Sequence, residues 1–276
     1  QEQANVTSLT AFNSDGFTLG SNNATNANNG LFASWNWKAN GSGATNTAGS
    51  INTTYTSANT TSGCSIITYT GNATAGATIG HGLGIKPSMV IIKNLAGNDW
   101  IVYTQALTAN KILYLNTTGV ENDNSVFFND TEPTDSLITL GSISATNGSG
   151  AMIAYCFSDV QGYSKQGSYI GNGNANGTFN YTGFKPAFVL TKNSSSGGSN
   201  WRIFDNQRLG YNVNNATLYP NLTNAEADET SLDLLSNGFK MRGTTNDLNG
   251  SGQTYVYMAF AEEPLVSTNG NAATAR

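Results

Sequence analysis

The chain has 276 residues, a net charge of −5 and only 11% charged residues. Asn, Thr and Ser supply 38, 34 and 26 residues, so neutral amides and hydroxyls must cover most of the surface. This balance excludes a nucleic-acid partner, whose phosphates require Lys and Arg, and an anionic membrane surface. The longest apolar runs are also far shorter than the roughly 20 residues that span a bilayer.

The N-terminal end starts at Gln1 and lacks the basic and apolar segments of a signal peptide. Two expectations follow: an upstream segment was cleaved, or the chain is the C-terminal part of a longer protein. At the other end, residues 267–276 show no periodicity and are predicted to form an extended tail.

Short runs of Val, Ile, Tyr, Phe and Thr, separated by Asn, Gly and Ser, recur along the chain and predict β-strands. The clearest runs are 65–70, 89–93, 100–103, 111–115, 151–157, 187–192 and 254–260. Helical periodicity is nearly absent, apart from one predicted turn at 224–232, so the crossovers of a parallel sheet are not expected. The pattern predicts an all-β fold of the β-sandwich or jelly-roll kind.

The sequence repeats itself over about a hundred residues. Each copy has Lys-Pro, an apolar strand, Lys-Asn and a Trp, then Leu-Tyr-X-Asn, then Asn-Gly-Ser-Gly before a second apolar strand. These elements lie at 82–100, 113–116 and 147–157 in the first copy and at 182–201, 218–221 and 249–260 in the second. Three elements in one order at a nearly constant offset predict tandem β-sandwich units.

The closing element occurs a third time, at Asp15–Trp37. Residues 1–60 are therefore predicted to form an additional N-terminal hairpin and a Gly-, Asn- and Thr-rich linker, followed by sandwich units at 61–160 and 161–266. A lone hairpin is marginal in water. We expect it to pack on the first unit, because sequential elements are usually neighbours; the alternative is that it completes a sheet in a neighbouring subunit.

Several motifs resemble a domain of uncharacterised function found in tail-fibre-like virion proteins of tailed bacteriophages, especially marine ones. They are 15–39, 81–84, 162–173, 181–189, 235–242 and 249–264. The resemblance covers nearly the whole chain. It implies a β-rich virion structural protein at the C-terminal end of a longer polypeptide, and it carries no catalytic residues.

The one histidine, His81, lies in a Gly-rich segment. A catalytic triad would need a carboxylate to orient it and an activated Ser, and no Ser lies in a nucleophile-elbow pattern. A zinc site made of His81, Cys64 and Cys156 lacks the short ligand spacing that such sites show. His81 is therefore predicted to be a turn residue, and no metal, cofactor or enzymatic activity is expected.

Acidic residues that are close in sequence are candidates for glycoside hydrolysis or calcium binding. They are the pairs Asp130 and Glu132, Glu226 and Asp228, and Glu262 and Glu263, with weak calcium patterns at 122–125 and 129–131. Hydrolysis needs two carboxylates facing each other across a cleft, and calcium needs six or more oxygen ligands. Solvated loop charges are the better interpretation.

Two further residue pairs leave alternatives open. Cys64 and Cys156 fall on the first and last strands of the first unit, where they could form a disulfide or remain buried thiols. Assembly of a virion in a reducing cytoplasm favours the thiols. Trp100 and Trp201 are predicted to anchor the sheets, and stacking on a neutral glycan is the sharper alternative.

The resemblance implies a structural virion protein of a tailed phage, located in a tail fibre, spike or capsid-surface fibre. Its expected partners are copies of itself, other virion proteins and a host-surface glycan, but neither nucleic acid nor membrane. The alternative is a secreted subunit that builds extracellular filaments by inserting a strand from Gln1 to about Trp37 into the next subunit.

Overall fold

The computed structural model describes residues 5–208, 212 and 214–262. Strands make up 38% of the chain and helices 3%, with several antiparallel sheets, which confirms the all-β prediction and agrees with β-sandwich units. The predicted tail at 267–276 lies outside the described residues. Within the described part, no helix is long and apolar enough to cross a membrane.

The chain divides into two compact units, Gln1–Lys38 and Ala39–Arg276. We call them the N-terminal module and the main body. The module contains β1 (Leu9–Phe12), β2 (Phe17–Leu19) and α1 (Asn23–Asn26). Strands β1 and β2 form an antiparallel hairpin, and the Asn22 side chain caps α1 by accepting a hydrogen bond from Ala24 N at 2.8 Å.

The main body carries the remaining elements in two consecutive sets. The first set is β3 (Tyr55–Asn59), β4 (Cys64–Thr70), β5 (Thr78–Gly80), β6 (Met89–Asn94), β7 (Trp100–Thr104), β8 (Lys111–Tyr114), β9 (Asn122–Asp123), β10 (Leu137–Thr139), α2 (Ser144–Asn147) and β11 (Ala151–Phe157). The second set is β12 (Ser164–Ile170), β13 (Phe179–Tyr181), β14 (Pro186–Asn193), β15 (Arg202–Asp205), β16 (Asn214–Thr217), β17 (Ala227–Leu235), β18 (Gly238–Met241) and β19 (Thr254–Ala261). We call these sets the first and second repeats.

Both repeats use the same strand order. The first contains β4-β11-β6-β7 within a seven-stranded sheet, and the second contains β12-β19-β14-β15 as a four-stranded sheet. The register also corresponds: Met152 pairs with Tyr69 in the first repeat, and Tyr255 pairs with Tyr169 in the second. The sequence repeat is therefore a repeat of topology.

Each repeat has its own apolar core beneath its main sheet. Ile67 and Ile138, from two different sheets, are fully buried in the first core. Val189 and Leu234, which also come from two different sheets, are buried in the second core. Alternating side chains on each strand supply one face to this core, and burial of such side chains contributes about 1.5–3 kcal/mol each.

The outer faces of the two main sheets meet each other. Phe157 of β11 and Phe260 of β19 pack edge to face, with ring centroids 5.7 Å apart. The indole of Trp201 donates a hydrogen bond to the Tyr114 carbonyl at 2.7 Å. Strand β19 is apolar on both faces because it is central in its sheet and its outer face is covered by the other repeat.

One buried asparagine closes each repeat. In the first, the amide of Asn147 donates to the carbonyls of Gly141 and Thr74 at 2.7 and 3.0 Å, while its oxygen accepts from Asn72 N at 2.8 Å. These bonds join the first strand of the repeat to the turn before its last strand, so a single side chain ties its opening and closing parts together.

Asn249 makes the same connections in the second repeat. Its amide donates to Gly243 O at 3.1 Å and Asn174 O at 2.8 Å, and its oxygen accepts from Asn172 N at 3.0 Å. Both asparagines are fully buried, and we call this arrangement the asparagine clamp. Loss of the side chain would remove all these bonds and would leave the Gly141 or Gly243 carbonyl, whose bond to the asparagine is buried, without that partner, which is costly.

The structure corrects the prediction of a helical turn at residues 224–232. The structure places most of them in β17, which pairs with β16 and β18. Glu and Ala favour helix only weakly, and the ladder bonds to two neighbouring strands override that preference.

The asparagine clamp yields a prediction with a built-in control. Asn147→Ala and Asn249→Ala should each lower the free energy of unfolding by at least about 2 kcal/mol, because buried donors and acceptors lose their partners. Asn26→Ala, at the equivalent but exposed position of the module, should change it by less than about 0.5 kcal/mol. Denaturant titration followed by circular dichroism measures all three; similar losses in the three variants would contradict the clamp.

Candidate functional site

An open depression of about 810 Å³ lies beside the edge strand β3. Residues 40–48 form most of its wall, and Thr56, Ala58 and Gly82 complete it. The sequence predicts this stretch to be part of a linker, but the structure orders it: Ala44 bridges to Thr56, and the Ser57 hydroxyl donates to Gly41 O at 2.8 Å. Long-range bonds to β3 explain the difference.

The lining of the depression contains no ionisable side chain. It offers backbone groups, the amide of Asn46 and the exposed hydroxyls of Thr45 and Thr47. Such groups can exchange hydrogen bonds with a neutral polyol, and they provide no activated nucleophile or general base. Within the described residues, no group of three or more His, Cys, Asp or Glu is arranged to hold a metal ion.

His81 is fully buried in the turn after β5. Its Nδ1 accepts a hydrogen bond from Leu83 N at 3.2 Å, and its Nε2 lies 3.3 Å from the Thr134 carbonyl. These contacts assign the proton to Nε2. Burial lowers the pKa of His81, while the Thr134 carbonyl and Asp135 oppose that shift. The residue holds a turn in its neutral form.

Cys64 and Cys156 are free and buried. They lie on paired strands, with Cys64 opposite Phe157 and Cys156 opposite Ser65. Opposite residues point to the same face of a sheet and successive residues alternate, so the two thiols point to opposite faces and form no disulfide in this structure. Burial raises the pKa of Cys64 to about 11 and that of Cys156 further, which makes both thiols poor nucleophiles.

The two tryptophans differ in exposure. Trp201 is 1% exposed, so no face of its ring is open to a sugar and the stacking prediction does not hold for it in this structure. Trp100 is half-buried, stacks on Tyr155 with centroids 6.3 Å apart, and lies 6.0 Å from the Lys93 ammonium. Glycan stacking stays a prediction for Trp100 alone.

The candidate carboxylates are not brought together into a cleft. Glu132 pairs with Lys86, Glu226 pairs with Arg208 at 2.6 Å, and Glu262 accepts from Gln207 at 3.0 Å. Asp130 and Asp228 are exposed, and Glu263 lies outside the described residues. These contacts are typical of surface charges, which contribute little individually.

Sequence analysis missed a charged cluster in the second repeat. The Arg202 guanidinium is 5% exposed, binds Asp247 at 2.9 Å and pairs with Glu229, and its carbon lies 5.0 Å from the Tyr219 ring centroid. Ile101 occupies the corresponding position of the first repeat and is fully buried. Aligning the two copies residue by residue exposes this change from Ile to Arg, and two carboxylates of the same repeat pair with the guanidinium.

A buried lysine lies near this cluster. Lys192 is fully buried, and its ammonium donates to the Asn193 carbonyl at 2.6 Å. Burial lowers the pKa of Lys192 to about 8, against the opposing effect of Asp247. Lys93 takes the same place in the first repeat and donates to the Gly97 and Asn98 carbonyls at 2.8 and 2.9 Å. Both lysines satisfy carbonyls at the ends of their strands and are closed to a substrate.

The buried, neutral state of His81 predicts a pH dependence. Because its folded pKa is lowered, the unfolded chain binds this proton first, and stability is lost as the pH falls through the ordinary His value of about 6.5. The free energy of unfolding should fall between about pH 7.5 and pH 5.5, by up to about 1.4 kcal/mol per pH unit at the acid end.

The chain has one histidine, so His81→Gln is a clean control for that dependence. The variant should show a nearly flat stability over the same pH window, whatever its absolute stability. Urea titrations at each pH measure both slopes; an equal slope in the variant would show that His81 is not responsible.

The chain is similar to known proteins at the level of one family. No curated protein and no solved structure matches the chain. A family described as a domain of unknown function, DUF7483, matches residues 1–264, a span that includes the N-terminal module and both repeats. The chain belongs to the DUF7483 family.

Proposed function

We propose that the protein is a structural subunit of a tailed-phage particle, in a tail fibre, a spike or a capsid-surface fibre, and not an enzyme. The observation that carries the proposal is the pair of repeats in the main body, each closed by an asparagine clamp. Modules that close on themselves and join through a buried sheet face extend a structure by repetition, and this is what a fibre requires.

The composition of the surface supports the same proposal. Charged residues are 11% of the chain, and the described carboxylate candidates are either paired with polar neighbours or exposed. Three buried ionisable groups make contacts within the fold. His81 holds a turn, Lys192 donates to a backbone carbonyl, and Arg202 pairs with carboxylates. Their roles are structural, as expected for a building block that must persist outside a cell.

The neutral depression beside β3 supports a secondary role in glycan attachment. Its hydroxyl and amide groups suit the hydroxyls of an uncharged sugar, and it lacks the cations that an acidic polysaccharide would require. The proposed ligand is therefore a neutral host-surface glycan, bound at low affinity per site and held by multiple copies in a homo-oligomer.

The alternative proposal, a secreted filament subunit, draws on the module. Residues 31–34 are assigned to no strand and Leu31 is fully exposed, so a strand that includes this segment is available to insert into a neighbouring subunit. In this case the protein would be found in free filaments and not in particles.

Immunogold labelling tests the location. Antibodies against the main body, applied to particles purified from cultures that produce the protein, should label fibres, spikes or the capsid surface. Fragments released from the same particles should contain the protein at a fixed ratio to the capsid protein by mass spectrometry. Label on free filaments alone would support the alternative, and unlabelled particles would contradict the virion proposal.

The depression can be tested separately. The intact protein should bind neutral glycans on an array, and Thr47→Arg should reduce the signal at least tenfold, because a long cationic side chain would fill the site. Thr223→Arg adds the same charge at an exposed loop position outside the depression and should retain binding. Background signal for the unmodified protein, or equal losses in both variants, would remove the attachment role.

A further inference from the structure

The N-terminal module corresponds element by element to the closing part of a repeat. Its hairpin pairs Phe12 with Phe17, five residues apart, as β17 and β18 pair Leu234 with Phe239. The helical turn that follows also corresponds: the amide N–H of Asn26 donates to Asn22 O at 2.8 Å, as that of Asn147 donates to Ile143 O at 2.8 Å.

The apolar positions of the module lack the cover that they have in a complete repeat. Phe12 is 83% exposed, whereas its counterpart Leu234 is 1% exposed. Leu9 is 41% exposed, whereas its counterpart Leu232 is fully buried. In the second repeat this cover comes partly from the opening strands, whose Val189 and Phe204 lie in the same core.

Asn26, the clamp residue of the module, makes only part of the hydrogen bonds that a complete clamp has. The Asn26 amide donates to Gly20 O at 2.8 Å, which matches the bond from Asn147 to Gly141 O at 2.7 Å. In the complete repeats the asparagine oxygen also accepts from the backbone of an opening strand, through Asn72 N or Asn172 N. Within the described residues, no group donates to the oxygen of Asn26.

The last part of the module has the sequence of a closing strand. Residues 31–37 correspond to β11 and β19, each of which lies between two strands of its repeat. The structure assigns residues 31–34 of this segment to no strand. Phe32 is 52% exposed, whereas Met152 and Tyr255, at the equivalent position, are fully buried.

We propose that the N-terminal module is the closing half of a third repeat, and that it binds a polypeptide carrying the opening half of this same repeat. The partner would place strands on both sides of 31–37, cover Phe12 and Phe32, and donate a backbone N–H to Asn26. Its first strand would end in Tyr-X-Gly-Asn, as β4 and β12 and the residues after them do at 69–72 and 169–172.

The two opening halves of the main body do not fill this role, because each is hydrogen-bonded to its own closing strand. An additional opening half is required. The glycine of Tyr-X-Gly-Asn cannot be replaced by a residue with a side chain. A Cβ on Gly71 would lie 2.4 Å from Gly148 O, and one on Gly171 would lie 2.3 Å from Gly250 O. The inference does not depend on the particle proposal.

The test supplies an opening half to the full chain. Residues 162–227, joined directly to Asn5 in place of the first four residues, leave fourteen residues between β16 and Leu9, as the second repeat has between β16 and the counterpart Leu232. Hydrogen exchange at the amides of 31–34 should be fast in the unmodified protein and slower by at least about 100-fold in the fusion, because new ladder bonds protect them.

A matched control carries Gly171→Val in the added copy only, which should restore fast exchange because the added side chain collides with the clamp backbone. Residues 62–118 of the first repeat provide a second donor. Fast exchange with both donors would overturn the proposal, as would slow exchange of 31–34 in the unmodified protein or equal protection with the valine control.

Discussion

The asparagine clamp is the interaction on which the architecture depends. A β-sandwich of this size consists of short strands joined by long connections, and the opening and closing strands of each repeat are distant in sequence. Asn147 and Asn249, which are both fully buried, connect them through three backbone groups each. A small amide that both donates and accepts can satisfy these groups at once, which a hydrophobic side chain cannot do.

The clamp also explains why glycine recurs around it. A Cβ at Gly71 or Gly171 would overlap the backbone beside the asparagine of its repeat, so the strand can approach closely only where no side chain intervenes. Tyrosines two residues earlier reinforce the same junction: the Tyr69 and Tyr169 hydroxyls donate to Thr146 O and Leu248 O at 2.5 and 2.7 Å. Each repeat is therefore closed mainly by neutral hydrogen bonds, with few charges.

The two repeats have diverged where their environments differ. At one core position the first repeat keeps Ile101, whereas the second has Arg202, which is neutralised by Asp247 and Glu229. A buried ion pair is weak evidence for stability. Both main sheets keep the same strand order although this position differs between them.

The fold class, the tandem repeat and the location of the central strands could all be predicted from the sequence. These properties depend on local patterns: apolar runs of strand length, Gly and Asn at turns, and recurrence of the same motif. It also anticipated a closing element at 15–37 and buried thiols as one of two states for Cys64 and Cys156. The candidate site was much less predictable, since 39–58 has the composition of a linker and the depression arises only from its bonds to β3.

The tertiary structure decided which of the equivalent residues are buried and which are exposed. Trp100 and Trp201 have the same motif, yet only Trp201 is enclosed, because the other repeat covers it. Residues 227–235 form a strand and not a helix because two neighbouring strands supply their hydrogen bonds. Asn26 has the same local sequence setting as Asn147, but its clamp is incomplete. Burial and pairing depend on what other parts of the chain bring into contact, and no local pattern contains that information.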